Sequence, residues 1–225
     1  MMKVAFVRGS YLNAFEGQNY VFNDEIRLTG FSSLRPIHTR LPFPTVRLPS
    51  LADISSSRLW RALLNRMIGD RQNLWGLENF AGRFDIFHTA DPHYFYSYQL
   101  ARLRQRGLIK YLIATVWETV PFRNESVARK KKIKKYTLAN TDLFLVHTAR
   151  AKQALVAEGV AKEKIRFVRL GVDLRRFHPL EKAKKFAGKV LYVGRLVEEK
   201  GAVDAYEIFR SLPLNTVLTI VGDGP

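Results

Sequence analysis

The sequence predicts an α/β protein in which a parallel sheet is covered by helices. Short apolar runs typical of buried strands alternate with segments whose apolar residues recur at helical spacing. The hydrophobic fraction of 47% is that of a globular chain rather than a disordered one. Strands that alternate with helices favour parallel pairing, because each crossover helix packs on a face of the sheet.

The chain begins with a predicted buried strand at residues 4–7, which leads into a glycine-containing loop. A helix is expected to start near Gly17. Two short strands are expected at residues 35–40 and 45–48, separated by a proline-rich turn. Ser57 precedes apolar residues at helical spacing, so we predict that it is a helix N-cap.

The alternation continues through the middle of the chain. Further strands are expected at residues 84–88, 109–116, 142–146 and 165–169. Helices are expected between the last three of these strands, at residues 129–139 and 147–159. Parallel strands end at the same edge of a sheet, and that edge is where open α/β sheets bind ligands.

We expect two domains. The first is predicted to span residues 1–178, followed by a lysine-rich linker at 179–188 and the start of a second domain at 189–225. The second domain contains strand-like runs near residues 190–193 and 217–221 with one helix between them. Because two strands and one helix bury little apolar surface, we expect this part either to pack on the first domain or to be mobile.

The charge balance is strongly basic, with 37 Lys and Arg against 20 Asp and Glu and a formal net charge of +17. Such a balance implies an anionic partner: nucleic acid, an anionic membrane surface or a phosphorylated ligand. The absence of cysteine excludes disulfides and thiolate chemistry. The first apolar run is too short for a secretory signal and no stretch has membrane-spanning length, so we expect a cytoplasmic protein.

The cations are concentrated between residues 102 and 135. Six of them lie close together near the start of one predicted helix: Arg129, Lys130, Lys131, Lys132, Lys134 and Lys135. Clustered cations are attracted to an anionic bilayer by roughly 1 kcal/mol each. We therefore predict a surface for a membrane or an anionic acceptor, with an ordinary solvated helix face as the alternative.

Residues 189–201 predict a phosphate-binding turn. Four β-favouring residues are followed by Gly194, by a short acidic loop between Arg195 and Lys200, and by Gly201 ahead of a helix. Helix N-termini favour anions, and the two cations add charge-assisted hydrogen bonds. An ordinary strand–helix turn with solvated charges remains the alternative.

Two further residues are candidates for catalysis because they follow predicted strands. His88 ends the strand at 84–88, and Glu118 follows the strand at 109–116. Glu118 could orient a hydroxyl or act as a base, and a carboxylate paired with a local cation is the alternative. A strand-ending histidine is more often structural than chemical. The loop before Gly17 lacks the G-x-G-x-x-G pattern, so a nicotinamide cofactor is poorly supported.

Three motifs resemble family 4 glycosyltransferases, which have the GT-B fold of two Rossmann-like domains. They are GRL with EKG at 194–201, LGVD with RFHP at 170–179, and LTIVGDGP at 218–225. The resemblance covers the whole chain, more loosely in its first half. It implies transfer of a sugar from a nucleotide-sugar to a hydroxyl acceptor with retention of configuration, without a metal or other cofactor. It also implies that the chain stops partway through the second domain.

The resemblance gives roles to individual residues. It implies that Gly17 faces the donor diphosphate across a cleft, and that Arg195 and Lys200 stabilise the charge developing on that diphosphate. His88 lies where the family commonly has a histidine, whereas Trp117 replaces a histidine that many members carry. A basic first domain implies an acceptor that is lipid-linked or otherwise anionic, and a peripheral membrane protein.

Two other classes of function remain open. Charge alone suggests a nucleic-acid-binding protein, but no zinc-finger, basic-zipper or RNA-recognition signature is present, so a nucleic-acid partner is disfavoured. Strongly salt-dependent binding of oligonucleotides would support that class. The replacement of that histidine by Trp117 favours instead a non-catalytic relative that binds a glycan or lipid. A turnover assay on a longer parent chain would separate that relative from an enzyme.

Overall fold

The computed structural model describes residues 1–14, 16, 25–55, 57–171, 174–175, 177–179 and 188–224. The chain divides into two compact units, Met1–Gly171 and Val172–Pro225, which are described separately. This division falls shortly before residue 178, where the sequence places the end of the first domain. Most of the proposed linker at 179–188 lies outside the described residues, so the linker stays a prediction.

The first unit contains a seven-stranded sheet in which every neighbouring pair of strands is parallel. Its strands are β1 (Met2–Val7), β2 (Ile26–Ser32), β3 (Thr45–Arg47), β4 (Ile86–Ala90), β5 (Leu112–Val116), β6 (Leu143–Val146) and β7 (Ile165–Phe167). Their spatial order is β3-β2-β1-β4-β5-β6-β7. This architecture confirms the predicted Rossmann-like α/β fold.

Among its described residues, the first unit has four α-helices that follow or precede these strands: α1 (Arg58–Ile68), α2 (Phe95–Gln105), α3 (Ala128–Ala139) and α4 (Ala149–Ala157). The prediction for Ser57 is confirmed, because its hydroxyl accepts a hydrogen bond from Trp60 N at 3.0 Å and so caps α1. Thr148 caps α4 in the same way, through Ala151 N at 3.1 Å. Within the described ranges, no helix combines the length and apolar character that crossing a bilayer requires.

The core of the first unit lies on the faces of the sheet. Phe31 and Phe87 on the strands pack in one buried cluster with Leu100 of α2. Phe144 packs with Leu155 of α4 in a second cluster. Full burial of a side chain of this size contributes about 1.5–3 kcal/mol. Central strands covered on both faces are largely apolar along their length, which explains the composition of β5, where Thr115 is the one polar residue.

Three elements differ from the sequence predictions. Residues 35–40 form no strand; Pro36 lacks a backbone donor, and the Asp53 carboxylate accepts hydrogen bonds from Leu34 N and Arg35 N ahead of it. The strand Ile26–Ser32 was not predicted, because Arg27 and a glycine interrupt its apolar pattern. The helix Phe95–Gln105 was not predicted either, because its first turn is aromatic and lacks a side-chain cap.

The second unit contains a parallel pair, β8 (Lys189–Val193) and β9 (Val217–Val221), and the helix α5 (Ala202–Arg210). None of its described residues is buried. On α5, Val203, Tyr206 and Ile208 are each more than half exposed. The helix therefore has apolar residues that the two described strands do not cover, as the sequence predicts.

Candidate functional site

The carboxyl edge of the first sheet gathers polar and aromatic residues from four neighbouring strands. Arg8 follows β1, Asp91 follows β4, Trp117 and Glu118 follow β5, and His147 follows β6. Because the strands are parallel, all of these residues lie at one edge, which is the usual ligand edge of an open α/β sheet.

Arg8 ties the first two of these strands together. Its side chain is 1% exposed, and its Nη1 donates hydrogen bonds to the carbonyl oxygens of Val7 at 3.0 Å and His88 at 3.1 Å. Its Nε donates to Glu16 Oε1 at 2.8 Å, and the guanidinium lies 3.9 Å from the ring centre of Phe6. Sequence reasoning missed Arg8, although a cation directly after the first buried strand marked it.

His88 is held inside the sheet. Its ring is buried, and Nε2 shares a hydrogen bond with Thr115 Oγ1 on β5 at 2.8 Å. Burial lowers the pKa of His88 well below its usual value, and the charges of Arg8 and His147 lower it further. The ring is therefore neutral near pH 7. This geometry favours the structural interpretation of His88 over a catalytic one.

Trp117, which by the resemblance replaces a histidine that many family members carry, directly follows β5. The carboxylate of Asp91, a residue with φ of 43°, accepts a hydrogen bond from Trp117 N at 3.0 Å. Burial raises the pKa of Asp91 above its usual value. The indole is 42% exposed and its ring centre lies 4.4 Å from that of His147. Trp117 therefore presents an aromatic face at the edge of the sheet.

Glu118 and Lys134 form the centre of a buried ionic cluster. Glu118 Oε2 lies 2.9 Å from Lys134 Nζ, and Oε1 lies 3.3 Å from His93 Nδ1. Asn124 also donates a hydrogen bond to Glu118. Lys134 Nζ pairs in addition with Glu158 Oε1, at 2.8 Å. One lysine of α3 thus joins the segment after β5 to the end of α4.

The ionic cluster changes the interpretation of Glu118. Burial alone would raise the pKa of this carboxyl, but interactions with His93 and Lys134 outweigh burial and lower it to about 2. A carboxylate with such a low pKa is a weak base at neutral pH. The structure therefore favours the ion-pair alternative for Glu118 over the role of general base.

Glu118→Gln is expected to make stability less sensitive to acid. The pKa of the Glu118 carboxyl in the folded protein is about 2, below its ordinary value of 4.5. Glu118 therefore stabilises the folded protein fully at pH values above 4.5. This contribution is lost as the pH falls through the folded pKa, so unfolding becomes easier between roughly pH 5 and pH 2. Urea denaturation across this range should show a shallower decline in the variant. Glu163→Gln serves as control, because Glu163 is exposed. Equal dependence of stability on pH in the two variants would contradict the lowered pKa of Glu118.

The basic helix does not form one surface, which corrects the prediction for its six cations. Successive helical residues turn by 100°, so side chains at adjacent positions point in different directions. Lys134 is 1% exposed and belongs to the ionic cluster, not to a membrane surface. Lys131 lies 3.5 Å from Glu125, and Lys135 lines a groove beside α4. Arg129 and Lys132 share a different groove, on the side of α2.

In the second unit, Arg195 and Lys200 lie at the two ends of the turn between β8 and α5. The Tyr192 hydroxyl donates to the carbonyl oxygens of both residues, at 3.2 and 3.1 Å, and so fixes the shape of the turn. Gly201 has φ of 68°, a conformation that favours glycine, and it stands at the N-terminus of α5. Arg195 pairs with Glu199, and both side chains are exposed. Gly17, the expected counterpart in the first domain, lies outside the described residues.

The segment after β9 packs tightly beside this turn. Gly194 N donates to Val221 O at 3.0 Å, and Leu196 N donates to Asp223 O at 2.7 Å. A Cβ on Gly222 would lie 1.9 Å from Gly194 O, so no larger residue fits there without a backbone shift. The two glycine-containing motifs of the second unit therefore form one structural feature.

Comparison with known proteins agrees with this architecture. The fold and its edge site define an α/β protein of the Rossmann-like kind. The model of Glycosyltransferase Family 4 matches residues 26–176. The chain belongs to Glycosyltransferase Family 4.

Among curated proteins, the chain is similar to WcaL of Escherichia coli K12, with 32% identity over 135 residues. WcaL of Salmonella typhimurium LT2 is 31% identical over 135 residues. Both relatives are named, provisionally, as colanic acid biosynthesis glycosyltransferases. Each match covers 56% of this chain and 32% of the relative.

Among solved structures, Anabaena HepE in complex with UDP matches the whole chain with a TM-score of 0.70 and 13% identity. HepE in complex with UDP-glucose gives 0.68 over 99% of the chain. The lipopolysaccharide outer core galactosyltransferase WaaB gives 0.58 at 18% identity. These likenesses show the fold. The chain spans 62% of HepE and 61% of WaaB.

Proposed function

We propose that the protein transfers a sugar from a nucleotide-sugar donor to a hydroxyl group of an acceptor. The observation that carries this proposal is the family match over residues 26–176. The fold shared with HepE, which has been solved with UDP and with UDP-glucose, supports a nucleotide-sugar as donor. UDP-glucose is therefore the first donor to test.

The donor diphosphate is proposed to bind at the turn before α5. Arg195 and Lys200 supply cations there, and the helix N-terminus supplies backbone N–H groups. The exposed ion pair between Arg195 and Glu199 contributes only ~0–1 kcal/mol, so a diphosphate can replace the carboxylate at small cost. The role of Gly17 in binding the diphosphate stays a prediction of the resemblance, because Gly17 lies outside the described residues.

The reaction is proposed to proceed with retention of configuration and without a metal or other cofactor. Negative charge develops on the leaving diphosphate as the bond to the sugar breaks. Preorganised cations and backbone amides can stabilise that charge where it forms. Arg195 and Lys200 are the described residues best suited to this role, because the turn holds them beside a helix N-terminus.

The acceptor is proposed to be lipid-linked or otherwise anionic, with the first domain held at the inner face of a membrane. The net charge of +17 supports an anionic surface as partner. The names of WcaL and WaaB, which refer to colanic acid biosynthesis and the lipopolysaccharide outer core, support a glycan acceptor.

We also propose that residues 1–225 alone do not transfer sugar. None of the described residues of the second unit is buried, so this unit does not form a packed core around a donor site. The expected result is no release of nucleoside diphosphate from a panel of nucleotide-sugars by this chain, and release from at least one of them by a longer parent chain. Hydrogen exchange should be fast throughout residues 189–224. Clear turnover together with slow exchange there would contradict the proposal.

A second candidate is a non-catalytic relative that binds a glycan or a lipid. The observation that favours it is Trp117, since an indole cannot supply the proton transfers or the charge of a histidine. The two candidates differ in one measurement. A longer parent chain that binds glycans but consumes no nucleotide-sugar would support the non-catalytic relative.

A further inference from the structure

A groove of about 600 Å³ lies between α2 and α3 on the first unit. Three aromatic residues and three cations line it: Phe95, Tyr98, Tyr136, Arg102, Arg129 and Lys132. Ala128 and Ile133 complete the lining, and no lining residue is acidic. The volume lies in the range of small-molecule sites, which are about 300–1,000 Å³.

Helical spacing explains why these residues meet. Tyr98 and Arg102 are one turn apart on α2, and Arg129 and Lys132 are one turn apart on α3. Side chains three or four positions apart share a helix face, so each helix directs one aromatic-cationic face at the groove. Lys131 and Lys135 do not line it.

The aromatic side of the groove is held in place by its own contacts. The ring of Tyr98 lies 5.6 Å from Phe95 and 5.1 Å from Tyr136, both edge to face. Tyr136 donates a hydrogen bond from its hydroxyl to Gln105 Oε1 at 3.2 Å. At the other end of the groove, Asp70 accepts from Phe95 N at 2.9 Å and fixes the start of α2. The rings therefore form a preorganised apolar wall.

The cations of the groove lack acidic partners within the part of the chain that the structure describes. Among the described residues, no carboxylate lies within ion-pair distance of Arg102, Arg129 or Lys132. Arg102 instead lies 5.9 Å from the ring centre of Tyr98. Exposed cations beside an apolar wall complement a ligand that joins a negative charge to an apolar stem.

We propose that the α2–α3 groove binds the headgroup of an anionic phospholipid. The phosphate contacts Arg102, Arg129 and Lys132, and the glycerol and first methylenes pack on the rings of Tyr98 and Tyr136. This proposal rests on the membrane association proposed above. It assigns that association to a defined site instead of to the whole basic helix.

The test compares two double variants of the full chain that remove equal charge from the same helix. Arg129→Gln with Lys132→Gln alters the groove, and Lys131→Gln with Lys135→Gln is the matched control. Sedimentation with phosphatidylglycerol-containing vesicles at physiological salt should show about tenfold or greater loss of binding for the groove pair. The control pair should stay within about threefold of the parent. Circular dichroism verifies that all variants fold.

A third variant tests the aromatic wall without changing charge. Tyr98→Leu should weaken vesicle binding by about threefold or more, because it removes the aromatic ring on which the glycerol and first methylenes of the lipid are proposed to pack. Equal losses in the two double variants would overturn the groove and leave general membrane attraction intact. Absence of parent binding to anionic vesicles would overturn both. Competition by millimolar inorganic phosphate that abolishes vesicle binding would show a free-phosphate site and overturn the lipid assignment.

Discussion

Lys134→Met is expected to lower the free energy of unfolding by about 3–5 kcal/mol. The ammonium group lies 2.9 Å from Glu118 and 2.8 Å from Glu158, and all three side chains are less than a tenth exposed. Methionine keeps most of the apolar length but leaves two buried carboxylates without this cation. An uncompensated buried charge costs far more than the pair contributes when complete. Urea denaturation measures the loss.

Lys135→Met is the matched control, because it removes the same charge from the next, exposed position. It should change stability by less than about 0.5 kcal/mol. Combining Lys134→Met with Glu158→Gln should recover part of the loss, because one uncompensated charge is then removed. Equal stabilities for the two methionine variants would contradict the role of Lys134.

Arg195→Ala or Lys200→Ala is expected to lower turnover of a longer parent chain by about 10²-fold or more, or roughly 2.7 kcal/mol of transition-state stabilisation. Both residues flank the turn at which the leaving diphosphate is proposed to bind, beside the N–H groups and the dipole of a helix N-terminus. The loss should appear mainly in kcat, because the charge that they stabilise develops in the transition state.

Arg210→Ala provides the control for these variants. Arg210 is the last residue of α5, at the opposite end from the turn, and its guanidinium lies 3.3 Å from Glu207. Its removal should leave turnover within about twofold of the parent, as expected of a surface substitution. Near-normal turnover in both Arg195→Ala and Lys200→Ala would remove the diphosphate assignment.

The fold could be predicted from the sequence wherever apolar pattern and burial agree. Central strands such as Leu112–Val116 are covered on both faces, so their continuous apolar runs marked them. The strand Ile26–Ser32 was missed because the end that carries Arg27 is exposed, and the aromatic start of Phe95–Gln105 weakened its helical pattern. Tertiary packing decides such cases, and local propensity does not.

The position of the site could be predicted from the ends of the strands, but the partners of its residues could not. Glu118 does lie at the carboxyl edge, whereas His88 lies within its strand, which continues to Ala90. The partners of both residues come from distant parts of the chain: Thr115 for His88, and Lys134 and Glu158 for Glu118. Sequence spacing gives no indication of those pairings. The same holds for Lys134, whose burial is set by the packing of α3 and not by its neighbours along the helix.

The most direct test of sugar transfer is consumption of a nucleotide-sugar by a longer parent chain that carries this sequence. A panel of nucleotide-sugars that includes UDP-glucose would be incubated with the protein, with and without EDTA and with a lipid-linked glycan as the hydroxyl acceptor, and release of nucleoside diphosphate would be followed by chromatography. We predict release from at least one donor, abolished when Arg195 and Lys200 are both replaced by alanine. Donor consumption no faster than with heat-denatured protein, across the whole panel, would contradict the proposed transfer.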